Sequence, residues 1–168
     1  GHDCGPDGKD RCTGWMMDYE VTSFKAKWLP SRDEMRRKVC ALEAAIEPYS
    51  EQVCTMKHHF APHLYAREMF MPKGTTLTGA VHKTEHLILI VGDCEVLTDS
   101  GVKRFTGHNT FVSKAGAKRA MYAHEDTWVT GFFVTDKTNV RELEDELVED
   151  SDSLQYRKFE NLELESCS

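Results

Sequence analysis

The sequence predicts a mainly β domain, a sandwich or barrel, with one amphipathic helix before it and another after it. Three observations carry this. From residue 65 onward the chain breaks into short runs rich in β-branched and aromatic residues, separated by turn signals. Two segments with helical apolar spacing, opening at Ser31 and Asn139, bracket those runs, and each begins with capping-box spacing. The length of 168 residues, with 40% hydrophobic and 29% charged residues, suits one domain whose core needs no disulfide staples.

The elements follow in chain order. Residues 1–14 are polar and rich in turn formers and read as a mobile arm; Gly1-His2 is set apart from any site argument. Trp15, Met16, Met17, Tyr19, Phe24 and Trp28 follow, too aromatic for a free tail, and are expected to dock on the domain or on a partner. Ser31 and Glu34 open the first helix, Met35, Val39, Leu42 and Ile46 form its apolar stripe, and Glu47-Pro48 ends it, because a residue before proline avoids the α region. Candidate strands are 65–71, 76–81, 87–91, 95–98, 102–105, 110–112, 119–123 and 128–134. Gly92-Asp93 and Gly107-His108-Asn109 are among the predicted breaks, and Asp99-Ser100-Gly101 is a tight hairpin signal. Asn139 and Glu142 open the second helix, with Val140, Leu143, Leu147 and Val148 on one face. The organisation expected is an arm over 1–30, a domain with its flanking helices over 31–149, and an acidic tail or strap over 150–168.

Charge and composition exclude some classes. With 21 Lys+Arg against 28 Asp+Glu the net charge is −7, which argues against a general nucleic-acid surface. No apolar run approaches the ~20 residues that span a bilayer, so no membrane partner is expected. No hydrophobic signal peptide is seen, so the chain is not expected to be exported. The six cysteines form no C-x-x-C pair, which removes a zinc ribbon or a thioredoxin motif. Cys4 and Cys12 flank a loop they could close, but reduced thiols are the better reading, with Cys40 and Cys94 as small core residues. There is no G-x-S-x-G, no Walker sequence and no dinucleotide fingerprint.

The sheet region resembles the cupins, small double-stranded β-helix barrels of the jelly-roll class. GTTLTGAVHKTEHLILIVG at 74–92 carries the Glu85-x6-Gly92 spacing of the family's first motif, with one histidine, His82, near the expected pair. GHNTFVSKAGAKRAMYA at 107–123 corresponds to the second motif, with Lys114 at the usual proline and Arg119 where the metal-binding histidine would be. A narrower resemblance, over roughly 57–149, is to small cupin-like proteins of tailed phages. Those often carry His-Pro-Thr where this chain has Phe133-Val134-Thr135, so a ligand of that pattern is absent. The resemblance implies a cupin-like barrel with N-terminal and C-terminal flanking helices. It also implies an accessory or virion-associated interaction protein without established catalysis, whose partners are other copies of itself in a homo-oligomer and other virion or host proteins.

The alternative is a metal- or small-ligand-dependent cupin enzyme. A metal cupin gathers three histidines and a glutamate, a donor set suited to a divalent transition metal. Here the metal candidates are His82, Glu85 and His86, with His58, His59, His63, His108 and His124 as contributors from other loops. On one continuous strand His82 and His86 would lie about 13 Å apart at ~3.3 Å per residue, so joining both to one ion requires a turn at Lys83-Thr84; alternatively His82 points into the barrel while His86 bonds a backbone group. His58 and His59 are adjacent, so only one can face the site. Arg119 cannot ligate a metal but can hold a carboxylate or phosphate through two parallel hydrogen bonds. An inward Arg119 beside His82 makes an anion-binding pair; the plainer alternative is a surface pairing of Arg119 with Glu125 or Asp126, worth little. Catalysis stays undecided between these readings.

Overall fold

A computed structural model describes residues 31–49, 54–98, 100–154 and Arg157. The expectations for the arm over 1–30, for a Cys4–Cys12 pairing and for most of the acidic tail lie outside those residues.

Helix α1 (Arg32–Ile46) starts where the sequence predicts: Ser31 is extended and its Oγ accepts the Glu34 N–H at 3.2 Å, satisfying one of the donors a helix start leaves open. Ahead of Pro48 it passes into one 3-10 turn over Glu47–Tyr49. Met35 and Val39 are buried, whereas Leu42 is exposed. Only the first half of the stripe therefore packs against described residues. Two bonds to Glu43 tie α1 to the barrel, from Lys118 Nζ at 2.8 Å and from the Thr78 hydroxyl at 2.8 Å.

Seven strands follow: β1 (Thr55–Ala61), β2 (Leu64–Met71), β3 (Thr76–Thr78), β4 (His86–Thr98), β5 (Gly101–Ser113), β6 (Ala120–Ala123) and β7 (Thr127–Val134). Every pairing is antiparallel, in the order β1-β2-β7-β4-β6-β3 with β5 on β4. β4 is the shared strand. Its first half meets β7, its second half meets β6, and β5 runs along its whole length. The sheet thereby curls into a barrel, and the expected fold, a cupin-like barrel between two helices, is the one observed.

Three details differ from the sequence reading. Gly92-Asp93 and Gly107-His108-Asn109 do not break strands, because Gly92 lies opposite Gly107 and the ladder bends through the pair without losing register. Both glycines have positive φ, 142° and 72°, a conformation open to residues without a Cβ. Four predicted runs therefore fuse into β4 and β5. β1 is an addition: its residues are all exposed and its sequence, TMKHHFA, lacks alternation, so no period-2 signal marked it. Cys40 is exposed rather than in the core.

The inner face has two ends of different chemistry. One is apolar, built from Met71, Ile90, Cys94, Val96, Phe105, Ala123 and Val129. At the other, Tyr65 and Phe133 pack against Leu143 and Leu147 of α2 (Val140–Leu147). Asn139 caps α2 by accepting from the N–H groups of Arg141 and Glu142 at 3.0 and 3.2 Å. Among the described residues no helix is long and apolar enough to cross a membrane.

Candidate functional site

The polar end of the barrel is set by strand parity. Ser113 lies opposite His86, Gly131 lies opposite both Ile88 and Arg67, and His58 lies opposite Arg67. These residues share the inner face, since side chains alternate along a strand and cross-strand partners point the same way. His58 therefore faces inward, where its Nδ1 is 2.7 Å from the Tyr65 hydroxyl. His59 faces the other way, near Glu68.

The turn required at Lys83-Thr84 is present. His82 makes an isolated bridge to Val148, the Lys83 N–H donates to the Leu147 carbonyl, and β4 begins at His86. The chain folds back sharply enough to bring the rings of His82 and His86 to 4.5 Å between centroids. Phe133 completes the group, 4.5 Å from the His86 ring and 5.1 Å from the His82 ring. Phe133 thus stands as an apolar wall beside the two histidines.

Arg119 is inward and half-buried, donating from Nη1 to the Ser113 hydroxyl at 2.7 Å. The surface pairing does not involve it: Glu125 takes Lys73 Nζ at 2.7 Å, and Asp126 accepts the Lys73 N–H at 2.9 Å. Arg67 enters from β2 with its Nη1 3.7 Å from Glu144 Oε1. Glu144, 3% exposed, also takes two bonds from Arg157, which is 1% exposed. Sequence reasoning missed Arg67, Glu144 and Arg157. The signal available was an arginine in an inward strand position and a charge beside the apolar stripe of an amphipathic helix.

Burial pushes the His82 ring down to about 3, and the nearby His86, Arg67 and Arg119 push the same way. His86 is lowered by burial and by Arg119, against an opposing bond from its Nδ1 to the Thr84 carbonyl at 3.1 Å. That carbonyl can only accept, so Nδ1 of His86 carries the hydrogen and Nε2 is left as an acceptor in the neutral ring. His58 is lowered by burial and then by Arg67. The histidines here are neutral at pH 7, and the positive charge belongs to the two arginines. Among the described residues, His82 Nδ1 is buried with no hydrogen-bond partner.

The donor set does not fit a divalent metal. Glu85 is exposed at the head of β4, and among the described residues no three His, Cys, Asp or Glu side chains gather as a metal-holding group. Two guanidinium groups beside the histidines oppose a cation electrostatically. His63 bonds Asp136, His124 lies 3.4 Å from Glu95, and His108 is exposed, so none of these joins His82 and His86.

No family model matches the chain, and no curated protein is similar to it in sequence. Solved structures with a similar fold include KdgF from Halomonas sp., 20% identical, covering 52% of this chain and 84% of that one at a TM-score of 0.44. A cupin superfamily protein from Desulfitobacterium hafniense is 11% identical, covering 52% and 82% at a TM-score of 0.43. Salicylate 1,2-dioxygenase from Pseudoaminobacter salicylatoxidans is 11% identical, covering 69% of this chain and 36% of that one at a TM-score of 0.46.

Proposed function

We propose that this protein binds a small anionic ligand, a carboxylate or phosphate, at the polar end of its barrel. The observation that carries the reading is His82 Nδ1, buried without a partner among the described residues, in a group that also holds Arg119 and Arg67. A buried polar atom without a partner costs about 1–3 kcal/mol, so a ligand atom that bonds to it gains correspondingly. Arg119 supplies a planar fork for an anion, oriented by Ser113. His82 contributes a neutral ring, and Phe133 covers the apolar side of a short carbon chain. Binding, rather than a chemical step, is what these parts support.

The accessory or virion-associated setting is compatible with ligand binding and rests on the resemblance over 57–149. Self-association stays part of the proposal. Among the described residues β1 pairs only with β2, and an exposed strand edge is a template for pairing with a second copy. A two-fold dimer through that edge is the simplest homo-oligomer. A particle mass of 19.2 kDa in light scattering would remove it.

The test of function is thermal unfolding against a panel of small mono- and dicarboxylates and inorganic phosphate, with and without chelator and divalent metals. A ligand at a hundred times its Kd adds about 2.7 kcal/mol to stability. The expected result is an upward shift with an anion that Arg119→Gln abolishes. A shift of equal size in Arg119→Gln, or none with any anion, defeats the reading. Stabilisation by a divalent metal alone, reversed by chelator, would restore the metal alternative at His82 and His86.

A further inference from the structure

His86 specifies the ligand of the polar end more narrowly, provided that end binds an anion as proposed above. The residue is 6% exposed. Its Nδ1 donates to the Thr84 carbonyl at 3.1 Å, at the turn after which β4 begins. The tautomer is therefore fixed by backbone rather than by a side chain that can rotate away. Nε2 keeps its lone pair and can only accept. Among the described residues the Thr84 contact is the one hydrogen bond of this ring. The other close neighbours of the ring are His82, with centroids 4.5 Å apart and planes tilted by 59°, and Phe133, stacked at 4.5 Å. Gly131 leaves room for that stack, because an added Cβ there would lie 2.9 Å from Phe133 Cε2.

The cation stands beside this acceptor. Ser113 is the cross-strand partner of His86, and Arg119 Nη1 donates to the Ser113 hydroxyl at 2.7 Å. Directly opposed residues have Cβ atoms about 4.5–5.5 Å apart, so the guanidinium and the imidazole reach the same small space. A carboxylate answers Arg119 but has no hydrogen to give at neutral pH. Its oxygens would meet His86 Nε2 lone pair to lone pair, and a ketone oxygen would do the same. An ammonium group has hydrogens to give, but Arg67 and Arg119 oppose a further cation. An alcohol has a hydrogen to donate and no charge. Its oxygen also accepts, so the same group satisfies the neighbouring His82 ring when that ring donates.

We infer that the ligand is a short hydroxycarboxylate, held with its carboxylate on Arg119 and its hydroxyl donating to Nε2 of His86. Phe133 then lies against the carbon skeleton between the two groups.

The test is isothermal titration of the full chain with matched acids: lactate against propionate, pyruvate and alanine, and malate against succinate. The expected result is that a hydroxy acid binds about tenfold or more tighter than its partners, the scale of one hydrogen bond to a buried acceptor. In His86→Phe that ratio should fall to about one. Propionate and succinate binding as tightly as lactate and malate overturn the inference and leave the anion reading standing. A preference for the hydroxy acid that survives in His86→Phe overturns it too, as does tighter binding of alanine. Binding of none of these acids removes the inference together with the anion reading. Should His86→Phe fail to fold, nitrogen NMR of the histidine-labelled parent takes its place. The Nε2 resonance of His86 is expected to be unprotonated, to move with lactate or malate, and to stay in place with propionate or succinate. A hydrogen found on Nε2, or equal movement with both kinds of acid, refutes the assignment.

Discussion

Replacing His82 with Phe separates a structural ring from a proton-sensitive one. The His82 ring is held at about 3 in the folded chain and returns to about 6.5 on unfolding. Between those values the unfolded chain binds the proton and the folded chain does not. This ring's contribution is therefore full above about pH 6.5 and is lost as the pH falls toward 3. At pH 5 the loss from this ring comes to about 2 kcal/mol, or about 4–8 °C in Tm for a chain of this size. His86 and His58 are shifted in the same direction, but they remain in both proteins and cancel in the comparison. Phe suits the site sterically, since His82 already packs against Phe133 at 5.1 Å and His86 at 4.5 Å. It also removes the unpartnered Nδ1, so the variant should be at least as stable as the parent at pH 7.5. The assay is Tm against pH from 5 to 7.5 for both proteins without added anion. The variant's profile should be flatter by the amount above; parallel profiles would refute the burial argument and the placement of His82 with it.

Arg157→Ala should cost about 3–5 kcal/mol in chemical denaturation, because it breaks a buried ion pair in which Arg157 bonds the Glu144 carboxylate at 3.1 and 3.3 Å; a loss below about 1 kcal/mol would place that bond among exposed surface pairs. Gly92→Ala should destabilise by about 1–3 kcal/mol, since an added Cβ would lie 2.5 Å from Thr127 Oγ1 and 2.7 Å from the Asp126 carbonyl oxygen at a φ of +142°. The comparison is Gly101→Ala, where nothing lies within 4 Å and only the backbone conformation is unfavourable, so an equal cost at both positions would remove the close approach as the reason. Ser31→Ala should lower stability by roughly 1 kcal/mol through the lost cap, and an unchanged urea midpoint would show that the start of α1 does not limit stability. Cys94, fully buried with its thiol pushed up to about 11 by burial and by Asp93, should stay unmodified by a thiol reagent at pH 8 while exposed Cys40 reacts; mapping by mass spectrometry decides it.

Local chemistry was legible in the sequence where one side chain decides the outcome. Both caps, at Ser31 and Asn139, form the bonds their spacing predicts. The turn at Lys83-Thr84 is the one that joining His82 and His86 at one site would require. What was not legible depends on partners distant in the chain. Gly92 reads as a break until Gly107 is placed opposite it. β1 earns its pairing from β2 rather than from its own pattern. Arg67 reads as one more surface cation until strand parity turns it inward, and Glu144 as a helix-surface acid until Arg157 closes over it.

The contrast between the two ends of the barrel bears on why the polar one exists. The apolar end meets the stability requirement in the ordinary way, with seven buried side chains and no charge. The same strands continue into a region holding Arg67, Arg119, three inward histidines and the buried Glu144. Burying such groups costs more than filling the space with Leu or Phe, and Phe133 shows that an aromatic side chain fits there. Bonds within the group offset part of that cost, with Arg67 3.7 Å from Glu144 and Arg119 bonded to Ser113 at 2.7 Å. A chain with a net charge of −7 repels anions at long range, so a site that binds one must carry its own positive charge close to the ligand. Arginine supplies a charge that does not titrate near neutral pH. The neutral histidines beside it add hydrogen-bonding capacity without adding charge at pH 7.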